Sequence, residues 1–149
     1  MEINVKNIFD SIEDLEYVVL RGKDDIFQLQ EGADIDILVM DTAEVVKRLL
    51  AHLSTYAKSG YEIKKEEIYP HIHIDIMKDT TLILRIDILY VLPFSLPSNV
   101  IIHTLLTRKK KDNYYVPSTD MEIFTRLLEY FERPEKLRHL EYVRNLCKD

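Results

Sequence analysis

Residues 32–39 read GADIDILV, which places two carboxylates, Asp34 and Asp36, one residue apart inside an apolar, strand-like stretch. Successive side chains of a strand point to opposite faces, so we expect both carboxylates on one face and Ile35 and Ile37 on the other. Two like charges held this close repel each other, which raises one pKa unless a cation neutralises them. A hard divalent cation with oxygen ligands suits such a pair, and the sequence therefore predicts a metal site.

Two later apolar segments also carry polar side chains at alternate positions. Residues 84–89 read LRIDIL and place Arg85 and Asp87 on one face, while residues 71–77 read HIHIDIM and do the same for His71, His73 and Asp75. Burying these groups without partners is costly, so we expect them to form the floor of a cleft. Either Asp87 or Asp75 can serve as a third carboxylate, and Asp75 can instead pair with Arg85 across two strands.

The two histidines allow two interpretations. His71 and His73 have the spacing of a metal-ligand pair on a strand, and with Asp75 they can bind zinc. The alternative, which we favour, is that they are partly buried polar residues lining the cleft.

A sheet must position these residues. Alternation predicts strands at residues 17–20, 35–40, 61–69, 72–77 and 82–91. Helical periodicity and capping residues predict helices at residues 5–15, 42–57, 119–131 and 134–146. This order indicates the α+β class, with helices packed on a mixed sheet. We expect one domain, with a core over about residues 1–95 and a mainly helical C-terminal extension over about residues 96–149.

Composition narrows the function classes. The net charge of −6 does not favour broad nucleic-acid binding, which usually needs a basic surface. We interpret the basic run at residues 108–111 as a solvated loop, and Tyr114 and Tyr115 as packing residues. The lone Cys147 and the absence of a signal-peptide pattern favour a cytoplasmic protein, and no apolar run is long enough to span a membrane.

The motifs together resemble the nucleotidyltransferase superfamily of the DNA polymerase beta type. Its signature is a strand ending in Gly, about a dozen residues, two acids one residue apart on a strand, and a third acid on a neighbouring strand. Residues 18–22 read VVLRG, residues 33–39 follow with Asp34 and Asp36, and residues 84–88 carry Asp87. Lys23 stands where that family usually has Gly or Ser. The chain is also similar to small bacterial nucleotidyltransferases.

The resemblance implies a site and a reaction. Asp34, Asp36 and Asp87 would hold Mg²⁺ or Mn²⁺, and a nucleoside monophosphate would pass from an NTP to a hydroxyl or phosphate acceptor. The residues that would contact the phosphates are Arg21, Gly22, Lys23 and Arg85. Two alternatives remain: a noncatalytic module that binds a nucleotide or phosphosugar, and the nucleotidyltransferase component of a toxin–antitoxin pair. A homo-oligomer or a small helical partner protein is compatible with each.

Overall fold

A computed structural model describes residues 2–21, 26, 31–92 and 96–146. The helices are α1 (Val5–Asp10), α2 (Thr42–Leu53), α3 (Ser98–Leu106), α4 (Thr119–Glu132) and α5 (Arg138–Leu146). The strands are β1 (Tyr17–Leu20), β2 (Ala33–Val39), β3 (Tyr61–Ile68), β4 (His71–Lys78), β5 (Thr81–Leu89), β6 (Lys109–Lys111) and β7 (Tyr114–Val116).

The first five strands form one mixed sheet in the order β1-β2-β5-β4-β3. Strands β2 and β5 run parallel, and the other neighbouring pairs run antiparallel. The predicted α+β class is confirmed at this level. The long connection that parallel neighbours require is supplied by α2 and the β3–β4 hairpin.

One face of the sheet, the core face, is covered by α1 and α2. Isoleucines at alternate positions of β2, β4 and β5 point to it and are almost completely buried; they include Ile35, Ile37, Ile72, Ile74, Ile76, Ile86 and Ile88. The predicted alternation of apolar and polar side chains is therefore present in all three strands. Burial of this continuous apolar surface holds the polar residues on the opposite face.

The opposite face, the cleft face, is only partly covered. Leu20, Leu38 and Leu89 form a second, smaller apolar cluster, which also contains Ile101 and Leu105 of α3. The carboxylate-bearing part of the same face lies beside α4. The C-terminal helices thus supply the second wall that a cleft requires.

The predicted ends of several elements differ from those observed. The first helix ends at Asp10 rather than at residue 15, and the last begins at Arg138 rather than at residue 134. Helix α2 begins as predicted, with the Asp41 side chain accepting a hydrogen bond from the backbone N–H of Glu44 at 3.0 Å. It gives way to a 3-10 turn that ends at Gly60, whose φ of 84° favours glycine.

The basic run forms a strand rather than the loop that its charge indicates. Strand β6 pairs with β7, and the cation of Lys111 lies 5.8 Å from the centre of the Tyr114 ring. The Arg108 guanidinium lies 4.8 Å from the Tyr115 ring. Aromatic faces attract these cations, so a charged sequence can adopt an extended structure here. Tyr114 is 1% exposed and packs as predicted.

Among the described helices, none has the length and apolar character needed to cross a membrane.

Candidate functional site

A cavity of about 880 Å³ opens between the cleft face and the C-terminal helices. The sheet contributes Asp34, Asp36 and Asp87 to its lining, and α4 contributes Arg126 and Glu129. The size falls within the usual range of about 300–1,000 Å³ for small-molecule sites. A small ligand therefore fits between the two walls.

Strand register arranges the polar residues of the cleft face in two parallel rows. The acidic row runs across β2, β5, β4 and β3 and consists of Asp36, Asp87, His73 and Glu66. The alternating row lies two residues away and consists of Asp34, Arg85, Asp75 and Lys64. The positive and negative charges within the alternating row can cancel one another, whereas the acidic row carries an excess of negative charge.

In the alternating row, Arg85 and Asp75 form a two-pronged ion pair. Arg85 Nε donates to Asp75 Oδ1 at 2.7 Å, and the guanidinium donates a second bond to Oδ2 at 2.8 Å. These bonds hold the pKa of Asp75 below its usual range. The predicted cross-strand pair is present, and neither residue lines the cavity.

In the acidic row, the environment disfavours the charge of Asp36. Burial raises the pKa of this carboxyl, and the nearby Arg21 guanidinium offsets the effect only in part. Arg21 forms an ion pair with Asp36 and also donates a hydrogen bond to Glu129 Oε2 at 2.9 Å. The guanidinium thus connects the sheet to α4, and it is the positive charge that Asp36 contacts in this structure.

The environment of Asp87 also disfavours the charged form of its carboxyl. Burial raises its pKa; the nearby His73 opposes this effect, and the charges of Asp36 and Asp34 add to it. His73 Nδ1 lies 2.8 Å from Asp87 Oδ1, but the two atoms lack hydrogen-bond geometry, and both are buried without a hydrogen-bond partner. An unpartnered buried carboxylate oxygen is costly and suits a site that accepts a cation or a proton.

No protein-family model, curated protein or solved structure matches this chain.

The residue types and their placement suit a hard divalent cation, although the side chains are not arranged as a formed metal site. Asp34, Asp36 and Asp87 offer only oxygen ligands, which Mg²⁺ prefers. Within the described residues, no group of three or more His, Cys, Asp or Glu side chains is arranged to hold a metal. Asp36 contacts Arg21 instead, so a cation entering here has to displace the guanidinium.

The other predicted site residues lie in different places. His71 and His73 line the cavity, and their rings stack with centres 5.7 Å apart. Gly22 and Lys23, two of the four predicted phosphate-contacting residues, lie outside the described residues. Asp34 lines the cavity and is exposed.

The α4 and α5 residues of the site were not predicted from the sequence. Glu129 accepts from Arg21 and lies 3.2 Å from Nε2 of His139, a fully buried residue. Burial lowers the pKa of His139 to about 4, and four surrounding cations add to the effect: Arg21, Arg126, Arg138 and Lys136. One signal was available, because Arg126 and Glu129 lie at helical spacing on one side of α4 and Arg133 follows its last residue.

Proposed function

We propose that this chain is a metal-dependent nucleotidyltransferase that moves a nucleoside monophosphate from an NTP to a hydroxyl or phosphate acceptor and releases pyrophosphate. One observation carries the proposal. Asp36 and Asp87 are register partners on the parallel strands β2 and β5, and both line the cavity together with Asp34. Three carboxylates on one face of a cleft form the ligand type that phosphoryl-transfer sites use.

The raised pKa values of Asp36 and Asp87 support this assignment. Both groups lose solvation by burial, so each charged carboxylate favours a bound cation. A divalent ion held here by Asp34, Asp36 and Asp87 would stabilise charge on the transferred phosphoryl group and its leaving group.

The chain's own residues have separate roles in this proposal. Arg21 neutralises Asp36 until a ligand arrives, and it then becomes available to contact a phosphate. Asp87 accepts the proton of the acceptor hydroxyl. The Arg85–Asp75 pair supports the floor of the cleft. Because Asp75 is held in that pair, we assign Asp87 as the third carboxylate in preference to Asp75.

Thermal unfolding with a panel of NTPs, each with and without Mg²⁺, tests the proposal. A ligand at about 100 times its Kd adds about 2.7 kcal/mol to stability. For a domain of this size, that gain raises Tm by about 5–10 °C. We expect such a rise only when Mg²⁺ is present, and we expect Asp36→Asn to abolish it.

The matched control is Asp79→Asn, which removes one carboxylate from an exposed turn outside the cavity lining. This variant should respond as the wild type does. An Mg²⁺-dependent shift that survives in Asp36→Asn would show that the carboxylates are not the metal site.

One observation favours a second candidate function. The ion pair between Arg21 and Asp36 means that Asp36 can remain neutralised without a metal. A noncatalytic module would bind a nucleotide or phosphosugar in this state. It predicts ligand stabilisation that is independent of Mg²⁺ and that persists in Asp87→Ala.

A further inference from the structure

The wall of the cavity opposite the carboxylates is positively charged. Arg133, Lys136 and Arg138 all line the cavity, and they lie on or next to the turn that joins α4 to α5. None of the three forms an ion pair with another described residue, whereas the neighbouring Arg126 contacts Glu122 and lies over the Tyr142 ring. We call Arg133, Lys136 and Arg138 the cationic wall.

Backbone hydrogen bonds order the turn that carries the cationic wall. The N–H of Lys136 donates to the carbonyl of Arg133 at 3.0 Å, and the N–H of His139 donates to the carbonyl of Lys136 at 3.3 Å. The backbone from which the three cations project is therefore a defined turn.

Nearby acids cancel only part of this charge. Residues 132–138 contain three cations and two carboxylates, of which Glu132 lines the cavity and Glu135 does not. Glu129 also lines the cavity, but it already contacts Arg21 and His139. Burial is the main cause of the low pKa of His139, and the positive charges of Arg138 and Lys136 add to it.

We propose that the cationic wall binds the phosphoryl group of the acceptor substrate, which makes that substrate a small phosphomonoester such as a sugar phosphate. This inference rests on the proposed transferase function, which needs an acceptor beside the carboxylates. The opposite charges of the two walls orient such a molecule, with its phosphate on the helices and its reactive oxygen towards Asp87. The net charge of −6 opposes a long polyanion, so a small ligand is favoured over a nucleic acid.

Binding of inorganic phosphate and of glucose 1-phosphate, measured by calorimetry in metal-free buffer at constant ionic strength, tests the proposal. The test variant is Arg133→Gln/Lys136→Gln/Arg138→Gln. We expect it to bind both probes about tenfold more weakly, or not at all, because charge-assisted contacts to the phosphate are lost.

The control variant, Lys47→Gln/Lys58→Gln/Lys65→Gln, makes the same change in net charge at residues outside the cavity lining. It should bind both probes as the wild type does. Equal weakening in the two triple variants would overturn the proposal, because it would show a general effect of net charge. Undetectable binding of both probes to the wild type would overturn it as well.

The Mg²⁺–NTP shift separates the acceptor from the other source of phosphate, the tail of the donor NTP. If the cationic wall holds the donor tail, the test variant loses the Mg²⁺–NTP shift that the wild type shows; that result would overturn the acceptor assignment. If the assignment is correct, the test variant retains that shift and Asp36→Asn retains phosphate binding. Failure of the transferase proposal instead appears as absence of the Mg²⁺–NTP shift in the wild type, with phosphate binding unaffected.

Discussion

The two polar rows of the sheet should respond in opposite directions when a carboxylate is replaced by its neutral isostere. Asp75, in the alternating row, has a lowered pKa because Arg85 donates two hydrogen bonds to it. Asp87, in the acidic row, has a raised pKa because burial and nearby carboxylates oppose its charge. We therefore expect Asp75→Asn to destabilise the protein at pH 7 and Asp87→Asn to stabilise it.

The contacts of the two carboxylates determine how large each change in stability should be. An asparagine can accept one of the two bonds from Arg85 and lacks the charge, which costs about 1–2 kcal/mol after allowance for the 34% exposure of the Arg85 side chain. Such a loss lowers Tm by about 3–6 °C in a domain of this length. Asp87→Asn should add about 0.5–1 kcal/mol, because it removes a charge that is poorly compensated at a buried position.

The pH dependence of the two variants follows from the pKa directions. Asp75 stabilises the fold above its unfolded pKa of about 3.9, and this contribution is lost as the pH falls through the lower folded value. Asp87 behaves in the opposite way, because the folded state holds the proton of this carboxyl more tightly than the unfolded state does. The stability of the wild type therefore falls as the pH rises through the raised folded pKa. The gain from Asp87→Asn should therefore shrink as the pH approaches 4.

Urea unfolding followed by circular dichroism measures both effects. Glu62→Gln is the control, since this exposed acid makes only a 3.4 Å surface contact with Lys64 and should change stability by less than about 0.5 kcal/mol. If Asp87→Asn destabilises the protein as strongly as Asp75→Asn does, the acidic row is not strained by its charge. That result would remove a main argument for a cation site.

Three further changes have defined outcomes. Arg21→Gln leaves Asp36 without its contacting cation, so it should lower stability by about 2 kcal/mol in urea unfolding. The same variant should bind Mn²⁺ more tightly in calorimetry, and an unchanged Mn²⁺ affinity would contradict the assigned site. Thr80→Gly relieves a φ of 68° in the β4–β5 turn and should raise stability by about 0.5–1 kcal/mol in thermal unfolding. Because the pKa of His139 is about 4, the wild type should lose stability as the pH falls from about 6.5 to 4, and His139→Gln should flatten that dependence in urea titrations at several pH values.

The sequence was sufficient to predict the sheet and the face that carries the carboxylates. Strands β2, β4 and β5 alternate isoleucine or leucine with polar residues, and a period of two permits only one assignment of faces. The start of α2 at Thr42 was an equally local signal, because the capping side chain of Asp41 directly precedes it. Each of these features depends on residues within a few positions of one another.

The second wall could not be predicted, because it depends on contacts between distant parts of the chain. Glu129 contacts Arg21 across 108 positions of sequence, and no local pattern reports such a pair. Strand β6 was not predicted, for a related reason. Its positive charge indicates a loop, and the sequence does not show the contacts with the Tyr114 and Tyr115 rings that accompany the strand. The long-range contacts, rather than the local propensities, convert a sheet with carboxylates into a cleft.

The ion pair between Asp75 and Arg85 also contributes to the alignment of β4 and β5, which the two-residue turn at Asp79 and Thr80 sets as well. The apolar residues of these strands distinguish the alternatives less sharply, because after a slip of two residues several core-face pairs still consist of isoleucine or leucine. A slip in one direction would set Asp75 opposite Asp87, and a slip in the other would set Arg85 opposite His73. Both lose the ion pair, so a pair that lies outside the cavity favours the alignment that brings His73 beside Asp87. A designer who grafts this cleft onto another sheet would need to transfer the alternating row together with the acidic one.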